Sequence, residues 1–296
     1  MKPILSLGLL FLILFSALVP GIDSARASVP TPQAEQLGAL IPLAENGCGT
    51  ADFPVPAGDA LSSAFRALAS ELLGTGKLAI WQDACNAHDR CYDSLGASRS
   101  RCDDNFQKNM VRACASFYGA GSSLVAKIDP YYYICEANAK VYYEVVKKFG
   151  ESPYKKAQAN SKKPVSCSSG MAKYRISIYT SNKDGAGTDA DMTIRLYGSN
   201  GGSSPAWELD TPKINDFERN GIDVFKTREI KDLGSIAKVA IGHDNSGDGS
   251  GWHLEKITVQ NMCLGEKYWI FACNRWLADD EEDEKLQRVI TTGSCK

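Results

Sequence analysis

The segment Ala84–Tyr92 reads Ala-Cys-Asn-Ala-His-Asp-Arg-Cys-Tyr, and it decides how the first half of the chain is interpreted. If the segment is helical, Cys85, His88 and Tyr92 share one face, because they are three and four residues apart. The histidine therefore lies between two cysteines and is followed directly by the carboxylate of Asp89. A short helix that carries this group of side chains is a candidate functional element.

The cysteines around this histidine have two interpretations. One is a zinc site, whose ligands would be Cys85, His88, Cys91 and Cys102. The other is disulfide bonding, which is typical of secreted proteins and leaves the imidazole to a structural or a catalytic role. Asp103 opens a second helix directly after Cys102. A Cys91–Cys102 disulfide would bring this carboxylate to the imidazole, where it would fix the tautomer and stabilise the imidazolium.

Upstream of this helix lies a glycine-rich segment. Residues Asn46–Ala51 read Asn-Gly-Cys-Gly-Thr-Ala, and such a loop can turn several main-chain carbonyls toward one point. Hard cations such as Ca²⁺ are bound by oxygen ligands. Since Asp89 would face this loop, the two segments together predict a calcium site.

Helical periodicity extends from about residue 80 to residue 150. The stretches Gln82–Tyr92, Ser98–Phe117 and Tyr131–Phe149 each repeat at helical spacing, and Gly150 follows as a stop signal. The next segment, Glu151–Gly170, is polar, rich in lysine and serine, and contains two prolines, which predicts a flexible linker. We therefore expect a helical domain over residues 28–155 and a linker over residues 156–171.

Beyond the linker the hydrophobic period changes to that of strands. Short alternating runs begin at Tyr174, Met192 and Lys256, separated by clusters of Gly, Asn, Asp and Ser. Such a series predicts a β-sandwich over residues 172–296. The predicted fold class is multidomain, with a disulfide-rich helical domain followed by an all-β domain.

Composition and the N-terminus indicate the compartment. The chain has 296 residues, ten cysteines and a formal net charge of −2, and this balance does not favour nucleic acid as a partner. Lys2 precedes an apolar run from Ile4 to Val19, and Ala25-Arg26-Ala27 offers a small-x-small cleavage pattern. These features predict a signal peptide over residues 1–27, with an uncleaved anchor as the alternative. We expect a secreted protein with disulfide-bonded cysteines.

Several motifs in the first half resemble the secreted phospholipase A2 family. They are Gly47-Cys-Gly, Cys85-x-x-His88-Asp89-x-Cys91-Tyr92 and Cys102-Asp103. The residues around the first two motifs most resemble the group XII branch of the family. The stretch Arg101–Gly150 resembles the short bacterial and fungal enzymes more closely. The resemblance implies a calcium-dependent enzyme that hydrolyses the sn-2 ester of glycerophospholipids.

The resemblance also implies roles for individual residues. His88 would be the general base, Asp103 would orient it, and Tyr92 would hydrogen-bond to that carboxylate, with core packing as the alternative for the tyrosine. The implied calcium ligands are Asp89 and the main-chain carbonyls of Gly47, Gly49 and Ala51. The implied disulfides are Cys48–Cys85, Cys91–Cys102 and Cys114–Cys135.

The second half resembles the PLAT, or lipoxygenase-homology, domain from about residue 172 to residue 291. The matching runs begin at Tyr174, Gly185, Ile194, Phe217, Ile241, Trp252 and Phe271. Such domains are β-sandwiches that bind lipid or protein partners, sometimes through Ca²⁺ in their loops. Candidate ligands for a second calcium site are Asp184, Asp189, Asp191, Asp244 and Asn245, and solvated turns are the alternative interpretation.

Tryptophan and cysteine give two further expectations in this half. Trp207 and Trp252 are candidates for insertion into a lipid interface, although burial in the core is favoured for Trp252. The last four cysteines are Cys167, Cys263, Cys273 and Cys295. Four cysteines can pair in three ways, and we favour a bond between Cys167, which precedes the first strand, and Cys295, which follows the last. His243 and His253 have no nucleophile pattern beside them, so we assign them no catalysis.

We therefore expect a secreted, calcium-dependent phospholipase A2 whose β-sandwich targets it to a phospholipid membrane or micelle, or to a protein partner. The alternative is a catalytically silent, calcium-dependent lipid- or receptor-binding protein on the same fold. The presence of His88, Asp89 and Asp103 favours the enzyme.

Overall fold

The described residues from 80 to 161 are mostly helical. The structure, a computed structural model, describes residues 80–118, 130–247 and 249–296. Its helices are α1 (Gln82–Asp93), α2 (Arg99–Tyr118), α3 (Pro130–Phe149) and α4 (Glu151–Ser161). Within these ranges, the helices are too short or too polar to cross a membrane. The predicted signal peptide and the loop Asn46–Ala51 lie outside the described residues.

Disulfides join the helices. The predicted pairs Cys91–Cys102 and Cys114–Cys135 are confirmed, and they link α1 to α2 and α2 to α3. Cys85 is also disulfide-bonded, while its predicted partner Cys48 lies outside the described residues. The zinc interpretation is wrong, because the three cysteines that would bind the metal are all in disulfides.

The predicted linker begins as a helix. Residues 156–161, expected to be flexible, continue α4. Pro153 stands in its first turn, where the missing N–H of proline has no intrahelical partner to lose. The Tyr154 hydroxyl donates to the Ala97 carbonyl at 2.6 Å, and Gln158 Nε2 donates to the Tyr92 carbonyl at 2.6 Å. The polar composition therefore reflects an exposed helix face, whose other side packs on α1.

The second half is an antiparallel β-sandwich, which confirms the predicted fold class. Its strands are β1 (Met171–Ala172), β2 (Tyr174–Thr180), β3 (Met192–Gly198), β4 (Trp207–Leu209), β5 (Ile222–Lys226), β6 (Ile230–Lys231), β7 (Ile236–His243), β8 (Trp252–Asn261), β9 (Tyr268–Leu277), β10 (Gln287–Thr291) and β11 (Ser294–Cys295). The larger sheets have the orders β11-β10-β7-β3-β4 and β5-β2-β8-β9, and β1 pairs with β6. Tyr174, Trp252 and Phe271, all fully buried, belong to the apolar core between the sheets.

Strand β2 is covered on both faces. The alternation in its sequence predicts one buried and one exposed face, but all seven residues are buried. Ile176 and Ile178 belong to the sandwich core, whereas Tyr179 belongs to the core of the helices. Ser177 Oγ lies 2.6 Å from Oγ of Ser94, the residue that follows α1. The helices therefore cover the outer face of the four-stranded sheet at β2 and β5, and the two halves share an interface.

Two tryptophans predicted to contact membrane lie in the sandwich core. Trp207 is 4% exposed and Trp252 is 0% exposed. The Trp252 indole N–H also has an internal acceptor, since it donates to Thr180 Oγ1 at 3.0 Å. The prediction of membrane contact is therefore wrong for Trp207, whereas burial in the core, the interpretation favoured for Trp252, is confirmed.

The disulfides of the sandwich differ from the predicted pair. Cys167 is bonded to Cys263, and Cys273 is bonded to Cys295. Cys263 lies in a short 3₁₀ turn, Met262–Leu264, against which the chain before β1 runs. Cys295 lies in β11 of one sheet and Cys273 in β9 of the other, so this bond joins the two sheets at their edges. The predicted Cys167–Cys295 bond is wrong, because the ends of the domain meet different neighbours.

Candidate functional site

A buried network of hydrogen bonds joins α1 to α2. The Nε2 atom of His88, on α1, lies 2.9 Å from Oδ1 of Asp103, on α2. The Tyr92 hydroxyl donates to the same oxygen at 2.6 Å. Asp103 is 1% exposed and the His88 side chain is 10% exposed. The structure thus brings together the predicted base, His88, and the predicted orienting carboxylate, Asp103. Tyr92 forms the predicted hydrogen bond to that carboxylate, so its role is not core packing alone.

The second oxygen of Asp103 also has a partner. Arg99, four residues earlier on α2, places Nη1 3.2 Å from Asp103 Oδ2 and donates to the Lys147 carbonyl of α3 at 3.1 Å. Sequence reasoning missed Arg99, although its i, i+4 spacing to Asp103 is a recognised signal for a helical ion pair. The carboxylate is thereby held by three donors from two helices, which fixes its orientation.

The hydrogen bonds define the tautomer of His88. An ionised carboxylate only accepts hydrogen bonds, so we assign the imidazole proton to Nε2 from this contact. The Nδ1 atom is then the basic nitrogen. Burial lowers the pKa of His88 from its ordinary value, and the hydrogen bond and charge of Asp103 oppose that shift. The ring is therefore neutral near pH 7 and can accept a proton at Nδ1.

Aromatic rings enclose the imidazole. The His88 ring stacks on Phe106 with a centroid distance of 4.6 Å, and the Tyr92 ring lies 4.1 Å away. Burial, followed by the hydrogen bond and charge of Asp103, raises the pKa of Tyr92, so its hydroxyl remains a donor. Gly150 leaves room for that hydroxyl, because a Cβ there would come within 2.6 Å of it. The site is therefore shaped by close packing as well as by charge.

A cavity beside His88 reaches the sandwich. It is lined by α1, by α2 and by residues of the segment 215–224, which leads into β5. Two carboxyl groups of this segment, Asp216 and Asp223, are among the lining residues. Nothing in the sequence indicated that the second half reaches this cavity, because the contact joins positions more than a hundred residues apart.

The predicted calcium site is described in part. Asp89 follows His88 on α1, whereas Gly47, Gly49 and Ala51 lie outside the described residues. In the described ranges, no group of three or more His, Cys, Asp or Glu side chains could hold a metal ion. A single carboxylate with main-chain carbonyls is a set of hard oxygen donors, which suits calcium rather than zinc. The donor chemistry of Asp89 therefore fits the implied ion.

The first loop proposed for a second calcium site has other contacts. Asp184 forms an ion pair with Arg219, and its side chain is 96% exposed. Asp189 lies against Gly247, where an added Cβ would come within 2.9 Å of the Asp189 carbonyl oxygen. This loop is thus held by an ion pair and by close backbone packing.

The second loop is held by hydrogen bonds to neighbouring loops and by one within itself. Asp244 Oδ1 accepts from the Asp191 main-chain N–H at 3.1 Å, and Asn245 Nδ2 donates to Asp279 Oδ2 at 2.7 Å. The main-chain and side-chain donors of Ser246 lower the pKa of Asp244. We do not propose a second calcium site from these two loops, since the described carboxylates do not converge.

Two models of protein families match the chain in succession. The family described as "Group XII secretory phospholipase A2 precursor" matches residues 33–171, and "PLAT/LH2 domain" matches residues 174–291. The chain carries a group XII secretory phospholipase A2-like domain followed by a PLAT domain. The first match ends at Met171, in β1, and the second begins at Tyr174, in β2.

Curated relatives share a part of this chain. Lipoxygenase homology domain-containing protein 1 of Mus musculus is 42% identical over 124 residues, which are 42% of this chain and 6% of the relative. Polycystin-1-like protein 3 of Homo sapiens is 40% identical over 117 residues, which are 40% of this chain and 7% of the relative. This chain therefore spans less than a tenth of the length of these relatives.

Solved structures give a similar partial match. A calcium-dependent 11R-lipoxygenase is 32% identical, with 40% of this chain and 17% of that chain covered and a TM-score of 0.32. A coral 8R-lipoxygenase is 25% identical, with a TM-score of 0.35, and the match covers 40% of this chain and 17% of that chain.

Phospholipase A2-like and PLAT domains both fit binding to lipid or membrane, and nothing in the matches indicates nucleic acid. The disulfides and the secretory family of the first domain fit an extracellular protein.

Proposed function

We propose that this chain is a secreted, calcium-dependent phospholipase A2 that hydrolyses the sn-2 ester of glycerophospholipids. The observation that carries the proposal is the buried contact between His88 Nε2 and Asp103 Oδ1. The phospholipase A2-like domain supplies the substrate class, and the PLAT domain supports a lipid surface as the place of action.

His88 would begin the reaction as a general base. Because its Nε2–H donates to Asp103, Nδ1 accepts the proton of a water molecule as that water attacks the ester carbonyl carbon. The ring then carries a positive charge, which the buried carboxylate stabilises. When the tetrahedral intermediate collapses, Nδ1–H returns the proton to the leaving oxygen, and the products are a fatty acid and a lysophospholipid.

Tyr92 and Arg99 would support this step through Asp103. Each donates to one oxygen of the carboxylate, so the carboxylate cannot rotate away from His88 without breaking a hydrogen bond. Both are positioning residues, because they act on the acid that orients the base. The stacked Phe106 ring restricts the imidazole in the same way.

Calcium would be held by Asp89 and by the main-chain carbonyls of Gly47, Gly49 and Ala51. When bound, such an ion supplies positive charge for the substrate phosphate and for the oxygen that becomes negative during attack. Asp89 follows His88 directly on α1, so the carboxylate that would hold the ion belongs to the same helix as the base.

The PLAT domain would lengthen the residence of the enzyme on lipid. Two domains that each bind a surface weakly bind it together more tightly, because the second contact is intramolecular. The two former membrane candidates, Trp207 and Trp252, take no part in this, since both are buried.

The test uses the full-length protein and phosphatidylcholine vesicles with different acyl chains at sn-1 and sn-2. With millimolar Ca²⁺ the sn-2 fatty acid and the matching lysophospholipid should accumulate in equal amounts, and a chelator should stop both. Release of the sn-1 chain, or equal release with and without calcium, would contradict the proposal. Calcium-dependent vesicle binding with no release would favour the silent lipid-binding alternative.

A further inference from the structure

Arg101 of the helical domain is largely buried against the sandwich. Arg101 lies in the first turn of α2, two residues before Asp103. Its Nε donates to the Asn220 carbonyl at 2.8 Å, and Nη2 donates to the Gly221 carbonyl at 2.9 Å. The same Nη2 also donates to the Thr180 carbonyl at the end of β2. Arg101 therefore contacts the chain at two separate places in the PLAT domain.

An ion pair completes this contact. Arg101 Nη1 lies 2.7 Å from Glu255 Oε2 on β8, and the guanidinium stands 5.3 Å from the centre of the Tyr179 ring. The Arg101 side chain is only 13% exposed. A planar guanidinium can serve several acceptors at once, and hydrogen bonds from a charged donor are stronger than those between neutral groups. The contact therefore fixes the first turn of α2 to the sheet.

This turn carries the carboxylate that orients the base. The first N–H groups of a helix have no intrahelical acceptor, and helix ends fray. In the described residues, several contacts within the helical domain hold the start of α2, among them the Cys91–Cys102 disulfide and the bond from Arg99 to the Lys147 carbonyl. The contacts of Arg101 hold the same turn from the PLAT domain.

We propose that Arg101 is a positioning residue through which the PLAT domain holds Asp103 against His88. The inference rests on the proposed hydrolysis and extends it, because it makes the sandwich a part of the catalytic unit as well as a lipid-binding module. The interface around Arg101 is consistent with a fixed arrangement, since Tyr179, Ile222 and Val224 of the sandwich pack in the core of the helices.

The test compares two arginines of α2 in the full-length protein. Arg101→Gln removes the contacts described above, and Arg112→Gln removes a more exposed ion pair to the same domain, between Arg112 Nη2 and Glu218 Oε2 at 2.6 Å. The substrate is a short-chain phospholipid below its micelle-forming concentration, so that surface binding does not enter. A small misplacement of catalytic groups can cost about 100-fold in rate, so we expect Arg101→Gln to lower kcat by about 10- to 100-fold with KM little changed. The kcat of Arg112→Gln should stay within about two-fold of that of the unaltered protein, because Arg112 follows Asp103 by nine residues on α2 and its ion pair does not touch the first turn.

A spectroscopic readout separates this inference from the proposed function. The Nε2–H proton of His88, hydrogen-bonded to Asp103, should give a downfield resonance in ¹⁵N-labelled protein. It should broaden or shift in Arg101→Gln and stay in place in Arg112→Gln, whether or not the protein hydrolyses lipid. Melting temperatures of both variants verify that each is folded at the assay temperature.

Two gentler variants keep the inference testable if Arg101→Gln does not fold. Arg101→Lys keeps the charge but loses the planar fork, and Glu255→Gln removes one charge from the PLAT side. Both should lower kcat in the same direction as Arg101→Gln, by a smaller factor. An unchanged kcat and an unchanged His88 resonance in these variants would overturn the inference. An equal loss in Arg112→Gln would overturn it as well, since it would reflect general loosening of the interface.

Discussion

His88 in the helical domain and His253 in the sandwich are both nearly buried, yet their partners differ. His88 Nε2 contacts the carboxylate of Asp103 at 2.9 Å. His253 Nε2 lies 2.7 Å from the ammonium of Lys183, and its Nδ1 lies 2.7 Å from Ser181 Oγ. An ammonium can only donate, so Nε2 of His253 accepts and its Nδ1–H donates to the serine. Both nitrogens of His253 are used in structural bonds, whereas His88 keeps Nδ1 as a base.

The charges of the partners reinforce this difference. Burial lowers the pKa of both histidines, but Asp103 opposes the shift at His88, whereas Lys183 adds to it at His253. An imidazolium would thus be stabilised at His88 and repelled at His253. Burial alone does not distinguish a catalytic histidine from a structural one, and the sign of the neighbouring charge does.

The mutation with the largest expected effect tests this comparison between the two histidines directly. His88→Gln should reduce hydrolysis by about 100- to 10,000-fold, because a positioned general base contributes that factor. His253→Gln is the matched control and should lower the melting temperature while leaving kcat nearly unchanged. The measurement is fatty-acid release together with thermal unfolding for both variants. Equal loss of kcat in the two variants would show that the histidines do not differ in role.

The next effect concerns the metal. Mutation of groups that merely support a metal ligand costs about 10- to 100-fold in affinity, so Asp89→Asn should raise the calcium requirement by at least about 100-fold. Asp83→Asn, on the same helix and paired at 3.6 Å with Lys213, is the control. Calcium titrations of activity compare the two variants. A calcium requirement unchanged by Asp89→Asn would remove the carboxylate from the ligand set.

A smaller effect is expected at the tyrosines of the network. Tyr92→Phe loses a hydrogen bond to a charged acceptor, which should lower the free energy of unfolding by about 1.5–3 kcal/mol. With about half of that loss acting in the transition state, kcat should fall by about 3- to 13-fold. Tyr154→Phe loses a bond to the neutral Ala97 carbonyl and should cost about 1 kcal/mol with no change in kcat. A kcat that drops equally in both would indicate that Tyr92 acts only through stability.

The smallest effect concerns the carboxyl pair of the sandwich that faces the His88 cavity. Burial raises the pKa of Asp216 well above its usual range, with the charge of Asp223 adding to the shift, and burial raises the pKa of Asp223 to about 6. A raised carboxyl pKa gives stability that is full below the unfolded value near 4 and is lost as pH rises through about 6. Relative to Asp223→Asn, the melting temperature of the unaltered protein should therefore fall by about 2–4 °C between pH 5 and pH 7.5. If the melting temperatures of the two proteins changed with pH by the same amount across that range, this result would contradict the shared burial of the two carboxyl groups.

Local features of the site could be predicted from the sequence because they depend on spacing along the chain. The i, i+3 and i+4 positions put Cys85, His88 and Tyr92 on one helix face, and the Cys91–Cys102 bond brings Asp103 to the same place. The strands β2, β3 and β8 were recognisable for the same reason, since their side chains alternate with a period of two.

Contacts between distant segments could not be predicted in this way. The acceptors of Arg101 are mostly main-chain carbonyls, which every residue carries, so no side-chain pattern marks Asn220 or Gly221 as its partners. The polar face of α4 looked like a linker because composition does not reveal that Gln158 packs on α1. The alternation of β2 likewise gave no sign that the helices cover its second face.

The most direct test of the account replaces the carboxylate that distinguishes His88 from the histidines of the sandwich. Asp103→Asn keeps the shape of the side chain and removes its charge, and Asp104→Asn is the neighbouring control, whose carboxylate accepts from the Tyr143 hydroxyl at 2.6 Å. The measurement is kcat on a soluble short-chain phospholipid in saturating calcium, for full-length variants shown to be folded. The account predicts that Asp103→Asn loses about 100- to 10,000-fold in kcat, because the base loses its tautomer and its counter-charge, while Asp104→Asn stays within about three-fold. Turnover in folded Asp103→Asn that matches Asp104→Asn would contradict the account and assign the buried network a structural role.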